Sequence, residues 1–249
     1  MSENELKPHP VLTDYYATPE ARRKKVDEMF DTSAEHYDWI CDVMSFGSGR
    51  WYRNDVLRRV AKLKPGMKLI DVGAGTGVVS LLAQKHVGDS GLVVAVDPSK
   101  GMLGEAVKNG VKRASLGMGE ALPFASNTFD VLTMGFALRH VADLNATFAE
   151  YLRVLKPGGK VVILEITRPE QPVPLFLLKI YMGWIVPLLT RIFRRSANAE
   201  ELMKYYWETT AQCVAPAVII KALESQGGIE CHRRVEMGIF SEYTAVKPA

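Results

Sequence analysis

The stretch Leu69-Ile70-Asp71-Val72-Gly73-Ala74-Gly75-Thr76-Gly77 decides how the chain is read, because an apolar strand pattern runs into a glycine turn and then into the helical run VVSLLAQKH, residues 78–86. Glycines take backbone angles closed to other residues and let a ligand approach the main chain. The spacing is G-x-G-x-G; the dinucleotide fingerprint G-x-G-x-x-G would need a glycine where Val78 stands. With Asp71 closing the strand, the turn suits a small zwitterion better than a pyrophosphate, since a carboxylate repels phosphate and attracts an amino group. Asp71, Gly73, Gly75, Thr76 and Gly77 are therefore candidate ligands of such a molecule.

Downstream, Val94-Ala95-Val96-Asp97 puts a second acid at the end of the next strand pattern. A carboxylate there accepts both hydroxyl protons of a ribose. Taken alone, Asp97 serves equally as the cap of the helix opened by Pro98 and Ser99; beside the glycine turn it favours a nucleoside. Met102, on the first turn of that helix, is a candidate for adenine contact, with a core position as the competing account. The loop Gly117-Met118-Gly119-Glu120-Ala121-Leu122-Pro123-Phe124 sits where the third strand should end, the sheet edge that binds ligands in doubly wound folds, and would close over the base.

Short apolar runs alternating with helix-length segments extend outward from this centre: MKLIDV (67–72), LVVAVD (92–97), FDVLTMG (129–135) and KVVILEI (160–166). That alternation indicates β-α-β units on a parallel sheet, a doubly wound α/β fold. Residues 1–18 are polar with Pro8 and Pro10, and read as a loose arm; 19–249 read as one domain, opened by a helical cap over 19–62. At 249 residues and 47% hydrophobic the chain can bury one full core. A net charge of +3, with acids and bases interleaved, gives nucleic-acid binding no support. Cys41, Cys213 and Cys231 are too scattered for a disulfide framework or a zinc site, and the start is no secretory signal, so the cytoplasm is expected.

The run PVPLFLLKIYMGWIVPLLTRIF, residues 172–193, is almost entirely apolar. Lys179, Gly183 and Pro187 argue against a membrane span, which wants about 20 uninterrupted apolar residues. A substrate-covering helix within an insertion over 172–215, or a surface that touches membrane through 173–195 with Arg191, Arg194 and Arg195 meeting anionic headgroups, fits better. A packed helix with a basic C-terminal end remains the plainer account.

Together these motifs resemble the class I S-adenosylmethionine-dependent methyltransferases. Phe136-Ala137-Leu138-Arg139-His140-Val141, Arg153-Val154-Leu155-Lys156-Pro157-Gly158-Gly159-Lys160 and Leu164-Glu165-Ile166-Thr167-Arg168-Pro169 resemble the ubiquinone and menaquinone biosynthesis C-methyltransferase family, as do Tyr37-Asp38, Met44-Ser45-Phe46-Gly47 and, more weakly, Tyr205-Tyr206-Trp207-Glu208-Thr209-Thr210. The resemblance departs at Cys41, Gly49, Tyr52, Met118 and His140, where the family pattern carries asparagine, histidine, tryptophan, an acid or amide, and asparagine in turn. It implies a mostly parallel seven-stranded, Rossmann-like methyltransferase sheet. It also implies S-adenosylmethionine as cofactor, held by the residues above with Met118, Gly119, Glu120 and Phe136, no metal, and a small hydrophobic acceptor walled in by 173–193.

In that family a methyl group goes to a ring carbon beside a phenolic oxygen, and the carbon becomes nucleophilic once the phenol is deprotonated. Arg139 would stabilise the phenolate and His140 accept its proton, with a surface hydrogen-bonding pair as the alternative. Tyr37 would reach cofactor or substrate, or simply pack; Glu165 would match a family position or cap a loop. Two further readings stay open: C- or O-methylation of another hydrophobic metabolite, such as an isoprenoid diphosphate held by Arg191, Arg194 and Arg195, and a binding scaffold that keeps the fold. A homodimer is open as well.

Overall fold

The computed structural model describes residues 5–16, 18–194 and 196–249. In chain order the elements are α1 (Pro19–Met44), α2 (Gly49–Arg59), β1 (Lys68–Val72), α3 (Val78–Val87), β2 (Leu92–Asp97), α4 (Lys100–Lys108), β3 (Ala114–Leu116), β4 (Phe129–Gly135), a 3-10 turn (Leu138–His140), α5 (Leu144–Val154), β5 (Leu155–Ile166), α6 (Pro172–Ile180), a π turn (Tyr181–Ile185), α7 (Val186–Arg194), α8 (Ala197–Gln212), α9 (Pro216–Ser225), β6 (Ile229–Glu236) and β7 (Phe240–Val246). The four expected strand runs are β1, β2, β4 and β5.

The strands form one seven-stranded sheet in the order β3-β2-β1-β4-β5-β7-β6. Pairing is parallel from β3 to β5, and β7 runs antiparallel between β5 and β6. Central parallel strands are covered on both faces, which is why these runs are apolar throughout. Ile70, Val72, Val94, Val96 and Leu132 pack on one face with Phe148, Leu152 and Leu223 of α5 and α9. Leu69, Val93, Val131 and Val162 pack on the other with Val56, Leu57, Val79 and Ala83 of α2 and α3. Strand order reverses at β1, between β2 and β4, and such a switch point leaves a crevice at the carboxyl ends of the strands.

Helix α1 starts at Thr18, whose hydroxyl accepts from the Ala21 amide at 3.2 Å, and has Pro19 in its first turn. Its Met29 and Ile40 are buried against Leu202, Met203, Tyr205 and Tyr206 of α8. Side chains of α1 also tie it to the sheet edge: Asp38 accepts from the Thr76 hydroxyl, and Asp31 accepts from the Ser99 hydroxyl and the Gly101 amide. The helical cap is thereby held directly over the crevice.

Residues 5–16 of the arm expected to be loose are docked: Leu12 and Tyr16 join the α1–α8 cluster, His9 is buried, and main-chain bonds link Pro8 to Val214 and Leu6 to Leu144. Prolines keep this segment out of helix or sheet, but Leu12 and Tyr16 supply enough apolar surface to hold it in place. Residues 1–4 lie outside the described part.

Candidate active site

A cavity of about 990 Å³, counting its open mouth, occupies the crevice between the strand ends and α1. One wall is the sheet edge: Gly73, Gly75, Asp97, Met118, Gly119, Glu120 and Phe136 line it, together with His140 from the 3-10 turn. These are eight of the fourteen residues singled out in the sequence; Tyr37, on the opposite helical wall, is a ninth.

The glycine turn explains itself at two positions. Gly73 has φ +65°, and a Cβ there would lie 2.6 Å from the Ala137 Cβ; Gly77 has φ +85°, and its Cβ would meet Val111 Cγ2 at 2.5 Å. Each is therefore closed to a side chain both by backbone conformation and by contact. Gly73 brings bare main chain to the cavity, whereas Gly77 lets α3 start flush against α4. The Asp97 carboxylate stands at the end of β2, one oxygen accepting from the Gly75 amide at 2.8 Å and the other from the Ser99 amide at 2.9 Å. Burial raises its pKa to about 6 despite these two bonds. Each oxygen has further acceptor capacity beyond that bond.

Five of the fourteen residues are not on the cavity surface. Asp71 is fully buried behind the turn, its oxygens taken by the hydroxyls of Ser80 (2.7 Å) and Thr133 (2.8 Å). Side chains alternate along a strand, so Asp71 shares the α3 face with Leu69 while Val72 turns toward the crevice. It braces β1, α3 and β4 through these two bonds. The Thr76 hydroxyl is committed to Asp38. Gly77 is packed as described, and Met102 is 1% exposed, a core residue of α4.

The fifth is Arg139, which is fully buried away from the cavity lining. It pairs with the Glu165 carboxylate, donates from Nε to the Thr209 hydroxyl at 3.2 Å and from Nη1 to the Phe136 carbonyl at 3.0 Å, and lies 4.4 Å above the Tyr206 ring. Phe136 holds a left-handed φ of +64°, a conformation costly for a non-glycine residue. Arg139 thus ties the Phe136 loop to Glu165, its counter-ion, and to Thr209 of α8.

His140, next in sequence, does line the cavity. Its ring lies against Phe30, Tyr205 and Tyr206 at centroid distances of 5.2, 5.5 and 5.5 Å. Neither ring nitrogen has a hydrogen-bond partner among the described residues. Burial, reinforced by the charges of Arg139 and Arg22, pushes its pKa well below the ordinary histidine value, so the ring is neutral at pH 7. Tyr37 is half-buried, and desolvation of its hydroxyl, which is paired with that of Tyr206, holds it protonated.

The helical wall holds what the sequence reading missed. Beside Tyr37, Arg22, Arg23, Val26, Asp27 and Phe30 of α1 line the cavity, with Tyr206 of α8. The signal for α1 was a stripe at helical spacing in which charged residues interrupt the apolar side facing the core. The segment 173–193 contributes nothing to the lining, which corrects its expected role as pocket wall: its inner side is occupied by α8 and α1. Arg191 is exposed and sits 3.9 Å from Glu200, outside the cavity, and Arg195 lies outside the described residues.

Comparison with known proteins agrees with this geometry. The model of the ubiE/COQ5 methyltransferase family matches residues 18–237. A demethylmenaquinone methyltransferase of Corynebacterium glutamicum (strain R) is 32% identical over 224 residues, covering 90% of this chain and 94% of the relative. A ubiquinone/menaquinone biosynthesis C-methyltransferase of Shewanella frigidimarina (strain NCIMB 400) is 35% identical over 214 residues, 82% and 83% of the two chains. Among solved structures, phosphoethanolamine N-methyltransferase 2 of Haemonchus contortus in complex with S-adenosyl-L-methionine superposes with a TM-score of 0.63 at 19% identity, over 88% of this chain and 57% of that one, a likeness of fold.

Proposed function

The chain belongs to the ubiE/COQ5 methyltransferase family and is an S-adenosylmethionine-dependent methyltransferase, and from that premise we propose that it methylates a ring carbon of a lipophilic, phenolic quinone precursor in the cytoplasm, with His140 as the base. The observation that carries the base is a half-buried histidine on the cavity wall whose two ring nitrogens are buried and unpartnered among the described residues. A polar group in that state has a use for a ligand, since leaving it unsatisfied costs about 1–3 kcal/mol.

The chain's residues fit the cofactor. Asp97 at the end of β2 has lone pairs for two ribose hydroxyls, Gly73 and Gly75 offer main chain without side-chain bulk, and Met118, Gly119 and Glu120 form a shelf beside Asp97 for a flat base. When bound, S-adenosylmethionine supplies an electrophilic methyl group. The protein's part is alignment, removal of water and handling of one proton.

Phe30, Tyr37 and Tyr206 wall the other end with aromatic surface, which suits an apolar ring. His140, neutral at pH 7, takes the phenolic proton at a ring nitrogen. An imidazolium is poorly stabilised in this buried site by itself, but here it forms beside the phenolate it creates, and the pair offsets the cost. Arg139 acts only through position: it fixes the Phe136 carbonyl and hence the loop that presents His140.

His140→Ala should lower kcat by about 10²–10⁴ on a hydroxylated, prenylated quinone precursor with labelled methyl donor. Calorimetric cofactor affinity should not move. Turnover within a few-fold of the native enzyme would remove His140 as base. Label recovered on oxygen would remove C-methylation, and full turnover of an acceptor whose phenol is already capped would show that no phenolic proton need leave.

A further inference from the structure

Helices α6 and α7 with the π turn between them form one helical run, Pro172–Phe193 being 22 residues and apolar enough to cross a membrane by length and composition. One side of the run packs on the protein. Leu178, Met182, Val186 and Thr190 are buried against the body of the protein, at steps of four residues. Such steps drift around a helix of 3.6 residues per turn, and the wider π turn takes up the drift, so all four stay on one side.

The opposite side is bare. Phe176, Leu177, Trp184, Leu188, Ile192 and Phe193 are each 55–70% exposed. The surface continues onto the loop after α1, where Phe46 is 83% exposed and stacks on Tyr181 at 5.2 Å. Scattered apolar residues are ordinary on a protein surface, but a patch of this extent marks a binding surface. Its charge is one-sided: residues 172–193 contain no aspartate or glutamate, and Lys179 and Arg191 stand exposed along the run. Exposed aromatic and aliphatic side chains edged by cations, on a helix lying along the body, are the composition of an interfacial helix.

We propose that the outer face of α6–α7, with Phe46, seats the protein in the surface of an anionic lipid bilayer, lying in its plane. The helices it covers, α1 and α8, are the ones that supply Phe30, Tyr37 and Tyr206 to the cavity. Docking on this face therefore places the aromatic end of the cavity nearest the lipid. The inference does not depend on what the acceptor is.

The test uses the full chain without cofactor or acceptor, sedimented with vesicles of phosphatidylcholine alone or mixed with phosphatidylglycerol. Binding is expected to the mixed vesicles, weaker at high salt, with a blue shift of fluorescence that Trp184→Phe removes. Leu188→Glu with Phe193→Glu should weaken it about a hundredfold, and Lys179→Ala or Arg191→Ala about fivefold each, only on the mixed vesicles. These side chains are exposed, so circular dichroism and turnover of a short-chain, water-soluble acceptor should stay within twofold of the native protein, which keeps this result separate from any failure of the acceptor reading. Absence of binding to the mixed vesicles overturns the proposal, as does binding that the double glutamate variant leaves intact. A dimer by sedimentation velocity that this variant dissociates, with no vesicle binding by the native chain, would show that a second copy covers the face.

Discussion

Gly73, Gly75 and Asp97 meet the cavity from strand ends, with main chain and a strand-end carboxylate, whereas Phe30, Tyr37 and Tyr206 meet it with ring faces from helices that are 169 residues apart at Tyr37 and Tyr206. The first wall is set by sheet register: β1 and β2 pair from Lys68↔Leu92 to Val72↔Val96, which delivers the glycine turn and Asp97 side by side. The second is set by helix packing and by one buried ion pair. The difference separates two tolerances. A wall made of main chain withstands changes in neighbouring side chains; a wall of packed rings moves whenever its supports do.

Glu165→Ala should break the second wall with the largest effect on stability. It strands the Arg139 guanidinium at 0% exposure, a loss of about 3–5 kcal/mol, or roughly 6–20 °C in melting temperature for a chain of this size. Arg139→Met combined with Glu165→Leu should recover most of the stability but little activity, because the Phe136 loop loses its anchor. Unchanged denaturant stability in Glu165→Ala, with activity lost, would mean that Arg139 acts on the acceptor directly.

Asp97→Asn sharpens the first wall. Losing charge-assisted bonds worth about 1.5–3 kcal/mol should weaken cofactor binding roughly tenfold to a hundredfold by calorimetry, with the acceptor KM little changed. The native enzyme carries the same signal in pH. The binding form is the carboxylate, and its pKa in the free protein is about 6. Cofactor affinity should hold above that pH and fall as pH drops through it, approaching about tenfold per unit; Asp97→Asn should flatten the dependence. An affinity independent of pH between 5 and 7 would place the ribose elsewhere.

These walls were unequally legible in the sequence. The doubly wound sheet, the glycine turn, Asp97 and the Met118–Glu120 loop follow from local patterns, since a strand end and the turn after it are neighbours in the chain. Asp71 lies off the cavity lining for a related reason: on a central strand both faces are apolar, so no alternation marks which side opens to the cavity. Buried polar partners such as Ser80 and Thr133 come from other elements and leave no local trace. Arg139 and His140 are adjacent residues with opposite placements, one facing Glu165 and Thr209 and the other the cavity. The apolar run 172–193 showed that it must meet something apolar; composition alone does not say whether that is a substrate, the core or lipid.

The smallest predicted effect isolates the link between the two helices of the second wall. Tyr37 and Tyr206 share one hydroxyl–hydroxyl bond in a partly buried position, and burial holds both phenols protonated, so neither serves as a base. Tyr37→Phe leaves the Tyr206 hydroxyl without its partner, and Tyr206→Phe does the reverse; each should cost about 1–3 kcal/mol of stability. The double variant removes both polar atoms while keeping both rings, and should cost less than the sum of the two. The acceptor KM should rise a few-fold in the single variants, with cofactor affinity untouched. Additive losses in the double-mutant cycle would mean that the hydroxyls act independently, and that at least one is held toward the acceptor instead of toward its neighbour across the helix interface.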